Sequence, residues 1–507
     1  MSTNPNIVYI LADDLGYGDV SCLNPEGRIP TPNLDELAAQ GIRFTDAHAT
    51  SSVCSPSRYS ILTGRYNWRS SLQSWIVGVY GDPLIAEDRL TIAGFLKQNG
   101  YHTSCIGKWH LGQGWDFEPT EDFLPDGQKD PSPTATAQQK MLWRETFTKP
   151  TTGGPITRDF DSYFGVDVPN WPPYCYIEDD RTVGLPSEFL PTRLLGNNQG
   201  SLSGPALTDW NFEQLLPAFA ERAGACIADQ AKQGTPFFLY MPLTSPHTPL
   251  AVNDEWIGKS RLNLYADFVM ETDAIIGRVL RALEEHGVAD NTIVMFASDN
   301  GCAHYIGVPE LEAMGHFPSA QFRGYKSDAW DGGHRIPFIV RWPGVVEPGS
   351  ECERTVCLSD LIATSSAILG KPLPDNAGED SVSILPLLQG EDRAVREHVV
   401  HHSGHGKFAI RSGKWKLVLC GGSGGWTSPS DPEAGEQGLP PIQLYDMEAD
   451  PSERINLEGK RPGVVAALVG MLEHSVVQGR STLGSPQTND VPVDIWKGSN
   501  KTDACDA

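Results

Sequence analysis

The sequence predicts an α/β fold in which helices sandwich a large mixed, mostly parallel sheet, followed by a smaller α+β C-terminal domain with a short antiparallel sheet. The first observation is a set of continuous apolar runs, such as "NIVYILADD" from Asn6, which are typical of strands buried on both faces. The second is that capped, amphipathic stretches such as "TPNLDELAAQG" from Thr31 alternate with these runs. The third is a change of pattern near residue 395, where short strand-like runs are separated by glycine turns.

The alternation of strands and helices continues through the main domain, which we place at residues 1–395. A helix in "RLTIAGFLKQNG" precedes a strand in "HTSCIG", and a later strand begins in "TPFFLYMP". The long amphipathic stretch "ADFVMETDAIIGRVLRALEEHG" then leads into the strand "NTIVMFASDNG". Residues 113–206 are rich in Pro, Gly, Asp and Trp and weakly periodic, so we expect a loop-rich insert near a substrate pocket.

The C-terminal α+β domain is predicted at residues 396–507. The runs "HVVHHSG", "FAIRSG" and "KWKLVLC" indicate short antiparallel strands. The stretch "PGVVAALVGMLEHSVVQG" predicts one closing helix, and the remaining tail is expected to be irregular.

Charge and composition exclude several function classes. The chain of 507 residues has a formal net charge of −25, which argues against nucleic acids and anionic membranes as partners. No stretch approaches the roughly 18 apolar residues that span a membrane. No signal peptide precedes the first strand, so we expect a cytoplasmic protein, or a periplasmic or secreted one whose signal was removed.

The ten cysteines do not form a metal-binding motif, because no CxxC pair occurs. Cys352 and Cys357 could form a disulfide, but free or buried thiols explain them equally well.

Chemically active side chains follow the ends of several predicted strands, where ligands bind in open α/β sheets. Asp13 and Asp14 end the first strand, and Asp299 and Asn300 end a later one. Together these oxygen ligands favour Ca²⁺, with Mg²⁺ as an alternative, because hard cations prefer carboxylate and amide oxygens.

The remaining strand-end residues are basic, namely Lys108, His110, His247 and Lys326. Lysines and histidines can bind an anion and can donate or accept protons. A cation facing such groups suits the cleavage of a sulfate or phosphate ester.

Cys54 begins the segment "CSPSRYSILTGR" at a predicted helix start, with Arg58 one helical turn later. A catalytic nucleophile, a metal ligand and a buried inert thiol are all open from the residues alone. A helix N-terminus favours nearby anions, whereas a thiol is a poor ligand for a hard cation.

The motifs taken together resemble the type I, formylglycine-dependent sulfatases of the alkaline phosphatase superfamily, an arylsulfatase-like family. "CSPSR" followed by "TGR" is similar to the C-x-P-S-R signature of that family. The segments "PNIVYILADDLGYGD", "GKWHLG", "SPHTP", "SDNG" and "GYKSDAWDGGHRIP" resemble its other motifs, in the family order and across most of the chain.

The resemblance implies that Cys54 is oxidised to 3-oxoalanine (formylglycine), whose hydrate is the nucleophile. It implies that this group holds Ca²⁺ together with Asp13, Asp14, Asp299 and Asn300. It also implies a partner, a formylglycine-generating or anaerobic sulfatase-maturing enzyme.

The resemblance further implies the roles of the basic residues. Arg58 would hold the formylglycine and the metal carboxylates in place, and Lys108 and Lys326 would bind the sulfate oxygens. His247 would protonate the leaving alcohol, and His110 would act as the base that releases sulfate.

Other residues near the motifs are candidates for substrate contact, although packing explains each of them too: His304, His334, Arg335, Trp75, Trp171, Tyr174 and His405. The histidines of "HHSGHG", namely His401, His402 and His405, could bind a metal, reach the substrate or be solvated. His334 stands where relatives often have a small or apolar residue, and packing or hydrogen bonding is the favoured explanation.

The predicted function is a sulfatase acting on a sulfate monoester, with a carbohydrate favoured by the Trp-rich loops. The motif order is similar to glycan exo-sulfatases that act on galactose or N-acetylgalactosamine 6-sulfate. A phosphonate or phosphate ester hydrolase of the same superfamily is the alternative. An inactive glycan-binding relative is a third hypothesis, but every matched motif position is filled.

Overall fold

The computed structural model describes residues 4–117, 134–195 and 202–498, and its main feature is a ten-stranded mixed sheet. The strands of this sheet, in spatial order, are β13 (Ser350–Cys352), β2 (Ile42–Phe44), β12 (Phe338–Arg341), β11 (Thr292–Ser298), β1 (Asn6–Asp13), β10 (Phe237–Pro246), β4 (His102–Lys108), β5 (Ser162–Val166), β6 (Ile177–Glu178) and β7 (Arg181–Thr182).

Three further sheets use the remaining described strands. They are the parallel pair β3 (Ala47–His48) and β14 (Val356–Cys357), the antiparallel pair β8 (Glu188–Phe189) and β9 (Pro205–Ala206), and the antiparallel β15 (Val399–His402), β16 (Phe408–Ser412), β17 (Trp415–Val418) and β18 (Gln443–Asp446).

The helices in the described part of the chain flank these sheets in sequence order. They are α1 (Pro32–Ala39), α2 (Cys54–Thr63), α3 (Ile92–Gln98), α4 (Ala137–Phe147), α5 (Leu215–Gln233), α6 (Leu264–Glu285), α7 (Val308–Ala313), α8 (Asp331–His334), α9 (Leu361–Leu369), α10 (Leu385–Leu388), α11 (Asp431–Glu436) and α12 (Pro462–Gln478). None of them combines the length and the apolar character that crossing a membrane requires.

The described residues divide into two compact units. The first unit comes from Met1–Asp13, Val77–Asp88 and Ala93–Met295. The second unit comes from Asp14–Ile76, Arg89–Ile92 and Phe296–Ala507. These units alternate along the chain, so they differ from a division at residue 395, which stays a prediction.

The first unit is built on parallel strands that are buried along their whole length. β10 pairs in parallel with β1 on one side and with β4 on the other, and β4 pairs in parallel with β5. Every residue of β1 and β10 is buried, which is why their sequences are continuous apolar runs. The amphipathic helices α5 and α6 pack on each other and on β10.

The predicted loop-rich insert at residues 113–206 has more regular structure than its composition suggests. Its described residues include α4, begun by a capping box at Thr136, and strands β5 to β7 of the large sheet. Residues 118–133 and 196–201 lie outside the described part of the chain.

The second unit contains the predicted C-terminal antiparallel sheet and closing helix. Its strands β15 to β18 and the helix α12 share a core with the segment that follows α2. The buried members of this core include Phe408, Leu417, Leu444, Leu468 and Leu472.

The structure therefore confirms the predicted fold class, a large mixed and mostly parallel sheet with helices and a small C-terminal antiparallel sheet. Cys352 and Cys357 are free thiols in it, so the disulfide left open by the sequence is not formed.

Candidate active site

In the second unit, the side chains of Asp14, Asp299 and Asn300 meet in the buried interior. The Asp14 backbone N–H donates to Asp299 Oδ1 at 3.2 Å, and Asn300 Nδ2 donates to Asp14 Oδ1 at 2.7 Å. All three residues are at most 1 % exposed. Asp14 has a left-handed backbone with φ 64°, which turns the chain sharply after β1.

The amide of Asn300 is oriented by its nitrogen and presents its oxygen. Nδ2 donates to Asp14 and, at 2.9 Å, to the Gly301 carbonyl. Oδ1 is buried and has no hydrogen-bond partner in the described part of the protein. A buried amide oxygen without a donor, beside two carboxylates, matches what a hard divalent cation requires of its ligands.

Two buried cations balance the charge of these carboxylates. Arg58 donates from Nε and Nη2 to Asp299 Oδ2 at 3.0 and 2.8 Å. Lys326 Nζ donates to Asp14 Oδ2 at 2.7 Å. Charged pairs of this kind are tolerated in a dry interior only when their geometry is good, as it is here.

Cys54 is the first residue of α2, and Arg58 follows one turn later on the same helix. Val53 before it is extended, and Gly64 ends the helix in the left-handed conformation with φ 66°. The whole of α2 is buried, and Cys54 is 1 % exposed. The side chain therefore lies in the electropositive first turn of a buried helix, which favours a negatively charged group at this position.

In the first unit, Asp13, Lys108 and His247 lie at or just beyond the ends of adjacent parallel strands. Asp13 ends β1 and is in register with Pro246, the last residue of β10 and the neighbour of His247. Lys108 ends β4, the next strand, and its Nζ donates to Asp13 Oδ2 at 2.6 Å. Because carboxyl ends of parallel strands meet at one edge, the sheet itself gathers these groups.

His110 is placed by a local backbone turn two residues after β4. Its φ is 55°, its N–H donates to the Asp167 carbonyl at 3.0 Å, and its Nε2 lies 3.2 Å from the Val77 carbonyl oxygen. The Trp171 ring meets the imidazole edge-on, with 5.6 Å between ring centroids.

Asp167 is a site residue that sequence reasoning missed. Its Oδ1 accepts a second hydrogen bond from the His110 N–H at 3.2 Å, so it helps to set the His110 backbone. Burial raises the pKa of Asp167 to about 6, against the hydrogen bond from His110 and the charge of Lys108, which lower it. The signal for it was present, because Asp167 follows the end of β5 just as the predicted residues follow their strands.

The residues predicted to contact substrate separate into exposed and buried groups. Trp75, His304 and His405 are exposed in the second unit and are brought together there by Trp426, a residue that sequence reasoning missed. Trp171 lies beside His110 in the first unit and is partly buried.

Tyr174, by contrast, is 1 % exposed, and its hydroxyl donates to the Asn170 and Leu202 carbonyls at 3.0 and 2.5 Å. The structure therefore gives Tyr174 a packing role. Arg335 is also buried, with its guanidinium paired to Asp331 and Asp46.

His334 lies in what we call the buried histidine cluster, formed by His48, His334 and His401. The rings of His334 and His401 stack with 3.7 Å between centroids and 10° between planes, and His48 Nδ1 is 3.1 Å from His334 Nδ1. Ring nitrogens bind metals in the ring plane, so two stacked parallel rings cannot direct their lone pairs at one ion. The cluster is thus a packing and hydrogen-bonding group, which is the explanation favoured for His334.

Comparison with known proteins identifies the family. The family model described as Sulfatase matches residues 5–371. An N-acetylgalactosamine-6-O-sulfatase of Bacteroides thetaiotaomicron is 33% identical over 498 residues, covering 93% of each chain. Human arylsulfatase A is 33% identical over 483 residues, covering 92% of this chain and 86% of its own.

A solved structure agrees with these relatives. It is a sulfatase structure described under the metabolism of multiple glycosaminoglycans by Bacteroides thetaiotaomicron. It superposes with a TM-score of 0.79 at 31% identity and covers 93% of this chain and 99% of that chain. The match of motifs, fold and relatives has one explanation: the chain belongs to the sulfatase family, whose members hydrolyse sulfate esters.

Proposed function

We propose that this sulfatase removes the 6-sulfate from a galactose-type sugar, N-acetylgalactosamine or galactose, with a nucleophile made from Cys54. The observation that carries the chemistry is the buried group of Asp14, Asp299 and Asn300, balanced by Arg58 and Lys326 in the unit that holds Cys54 at a helix start. The sugar is supported by the relative that acts on N-acetylgalactosamine 6-sulfate, which is matched over 93% of both chains.

A divalent cation fits the oxygen-rich group, and we propose Ca²⁺ in preference to Mg²⁺. Asp13, Asp14, Asp299 and Asn300 would hold it, together with the oxygen that replaces Cys54 Sγ after maturation. The cation supplies positive charge that stabilises negative oxygen on the nucleophile and on the sulfate.

The two lysines bind the sulfate group in this proposal. Lys108 and Lys326 each present an ammonium that contacts a buried carboxylate in the structure, so both cations are held in place before substrate arrives. Pre-positioned cations stabilise the charge that develops on the sulfate oxygens without having to reorganise during the reaction.

The two histidines move the protons. His247 donates a proton to the ester oxygen of the leaving sugar alcohol, and His110 takes a proton from the second hydroxyl of the hydrated Cys54 derivative as sulfate departs. The Val77 carbonyl at Nε2 and the Trp171 ring hold the His110 imidazole in one orientation.

Replacement of Cys54 tests the nucleophile. Cys54→Ala should lower turnover of an aryl sulfate by about 10³-fold or more, because only binding and charge stabilisation would remain. Mass spectrometry of the Cys54 peptide from a host with a sulfatase-maturing enzyme should show a loss of roughly 18 Da relative to cysteine. Cys226→Ala, at a partly buried cysteine that the proposal does not use, is the matched control.

Full activity of Cys54→Ala would contradict the nucleophile. Faster turnover of an aryl phosphonate diester than of an aryl sulfate would favour the alternative hydrolase. A screen of singly sulfated monosaccharides tests the sugar, and turnover that is fastest on a substrate other than a galactose-type 6-sulfate would contradict that part alone.

A further inference from the structure

The second unit carries an exposed aromatic patch formed by Trp75, His304, His405 and Trp426. Trp75 meets His405 nearly edge-on, with 4.8 Å between ring centroids and 71° between planes. Trp426 lies 6.0 Å from Trp75 and 5.9 Å from His304. The four rings therefore form one continuous group drawn from four separate segments of the chain.

The exposure of this patch distinguishes its tryptophans from the tryptophans that lie in the protein core. Trp75 is 41% exposed and Trp426 is 36% exposed, whereas Trp68, Trp109, Trp143 and Trp330 are at most 1% exposed. Large aromatic surfaces left in contact with water mark binding sites more often than chance, because burying them in a complex is favourable.

The patch is tied by hydrogen bonds to the segments that carry catalytic candidates. The Trp75 N–H donates to the Gly404 carbonyl at 2.7 Å, and the Gly404 N–H donates to the Ser327 carbonyl at 2.8 Å. The Trp426 N–H donates to Asp328 Oδ1 at 3.0 Å. Ser327 and Asp328 are the two residues that follow Lys326.

The segment that carries His304 is also hydrogen-bonded to the segment that carries Lys326. The Lys326 N–H donates to the Cys302 carbonyl at 2.8 Å, and Cys302 lies midway between Asn300 and His304 in the sequence. Each ring of the patch therefore lies within a few residues of Lys326 or Asn300, either along the chain or across one or two hydrogen bonds.

Close packing holds the patch in this shape. A Cβ at Gly425 would lie 2.3 Å from the Ser327 carbonyl oxygen, and one at Gly404 would lie 2.2 Å from Ser327 Oγ. Only glycine permits both loops to approach Ser327 so closely. The rings are therefore pre-organised, which reduces the entropy lost when a ligand binds.

We propose that the aromatic patch binds the sugar ring of the substrate and selects the galacto over the gluco configuration; this inference rests on the proposed function. In a galacto pyranose the axial 4-hydroxyl leaves the C–H bonds of carbons 3, 4 and 5 on one face as an apolar strip. Trp426 and Trp75 pack against that strip, while the imidazoles of His304 and His405 hydrogen-bond to hydroxyls at its edge.

The test compares kcat/KM for three substrates: N-acetylgalactosamine 6-sulfate, N-acetylglucosamine 6-sulfate and 4-nitrophenyl sulfate. Trp426→Ala and Trp75→Ala should each lower kcat/KM for the galacto sugar by about 10- to 100-fold, mainly through KM. The loss on the aryl sulfate should be at least about fivefold smaller, and the preference for the galacto over the gluco sugar should fall. Trp426→Phe should restore most of the loss, because it keeps an aromatic face.

Ile455→Ala, at an apolar residue of the same unit that is 59% exposed and outside the patch, is the matched control and should change none of these values. An equal loss on all three substrates, or no loss on the galacto sugar, would overturn the inference. Thermal melting of each variant separates these results from misfolding.

The experiment also distinguishes a failure of the proposed function from a failure of this inference. If the mature wild-type enzyme hydrolyses none of the three esters, the proposed function fails, and the patch is tested by tryptophan fluorescence with free N-acetylgalactosamine and N-acetylglucosamine. Quenching by the galacto sugar that is lost in Trp426→Ala supports the patch, and quenching by neither sugar refutes it.

Discussion

The aromatic patch and the buried histidine cluster each contain a histidine in or just after a sulfatase motif, namely His304 and His334, yet the two regions differ in exposure and surroundings. His304 and His405 of the patch are exposed, whereas His48, His334 and His401 of the cluster are at most 1% exposed. The same residue type therefore faces a ligand in one region and packs against protein in the other.

The surroundings explain this difference. The cluster is enclosed by a balanced set of charges, in which Lys416 Nζ lies 3.1 Å from His334 Nε2 and 2.8 Å from both Asp331 and Glu453. Although burial acts in the opposite direction, Lys416 and Arg335 hold the pKa of Asp331 well below its usual range. Burial lowers the pKa of His334 and His401, so the rings stay neutral inside this network.

The comparison teaches that proximity to a motif does not assign a role to a histidine. A ring becomes available to a ligand only where neighbouring segments leave it at the surface. We therefore expect substitutions in the cluster to change stability and substitutions in the patch to change substrate selection.

The largest effect is expected from Lys416→Met, which removes the cation of the buried network. It should lower the free energy of unfolding by about 3–5 kcal/mol, because Asp331 and Glu453 would be left buried without their shared partner. Denaturant unfolding measures this loss. Lys414→Met, at the residue just before the same strand, removes a lysine that is 41% exposed and paired with Asp446, and it should cost no more than about 1 kcal/mol. Equal losses for the two variants would contradict the assignment of the cluster as the structural region.

A smaller effect is expected from His334→Ala. It should destabilise the fold by about 2–3 kcal/mol, because it leaves a cavity against His401 and removes partners from His48 and Lys416. His304→Ala in the patch should change stability by less than about 0.5 kcal/mol. If His334→Ala were as stable as the wild type and instead altered substrate selection, the distinction between the two regions would be wrong.

The smallest expected effect, about 2 kcal/mol over the measured range of pH 7 to 5, is a change in the pH dependence of stability on replacing His48. Burial, with help from Arg335, lowers the pKa of His48 from 6.5 to about 4, against the opposing charge of Asp46. The unfolded chain therefore binds a proton between these values that the folded protein does not. Stability is lost as the pH falls from about 6.5 to about 4, by about 1.4 kcal/mol per pH unit for this group.

His48→Gln should lose correspondingly less stability on acidification, as measured by denaturant unfolding at pH 7, 6 and 5. Ile410→Val, at a buried aliphatic residue of the same unit, should lower stability by a similar amount at every pH. An unchanged acid slope in His48→Gln would show that this ring is not held neutral by its surroundings.

The strand-end residues could be predicted from sequence because each one follows a recognisable buried strand. Asp13, Lys108 and Asp299 are examples, since parallel strands bring their carboxyl ends to a common edge whatever the loops do. The fold class could be predicted for the same reason, from the alternation of fully apolar runs with amphipathic helices.

Other features depend on contacts between distant segments and have no local signal. Trp426 joins the patch through a hydrogen bond to Asp328, 98 residues earlier in the chain. His334 is buried by residues from β15 and β17, so its own sequence context could not show whether it faces solvent. In the insert, the helix α4 and strands β5 to β7 were obscured by a composition typical of loops.

The close approach of Gly404 and Gly425 to Ser327 has a consequence for engineering. These two contacts fix the loops that carry His405 and Trp426, and both of these residues are exposed. Exchanging these loops while keeping both glycines should therefore yield enzymes that hydrolyse the same type of ester but accept different substrates.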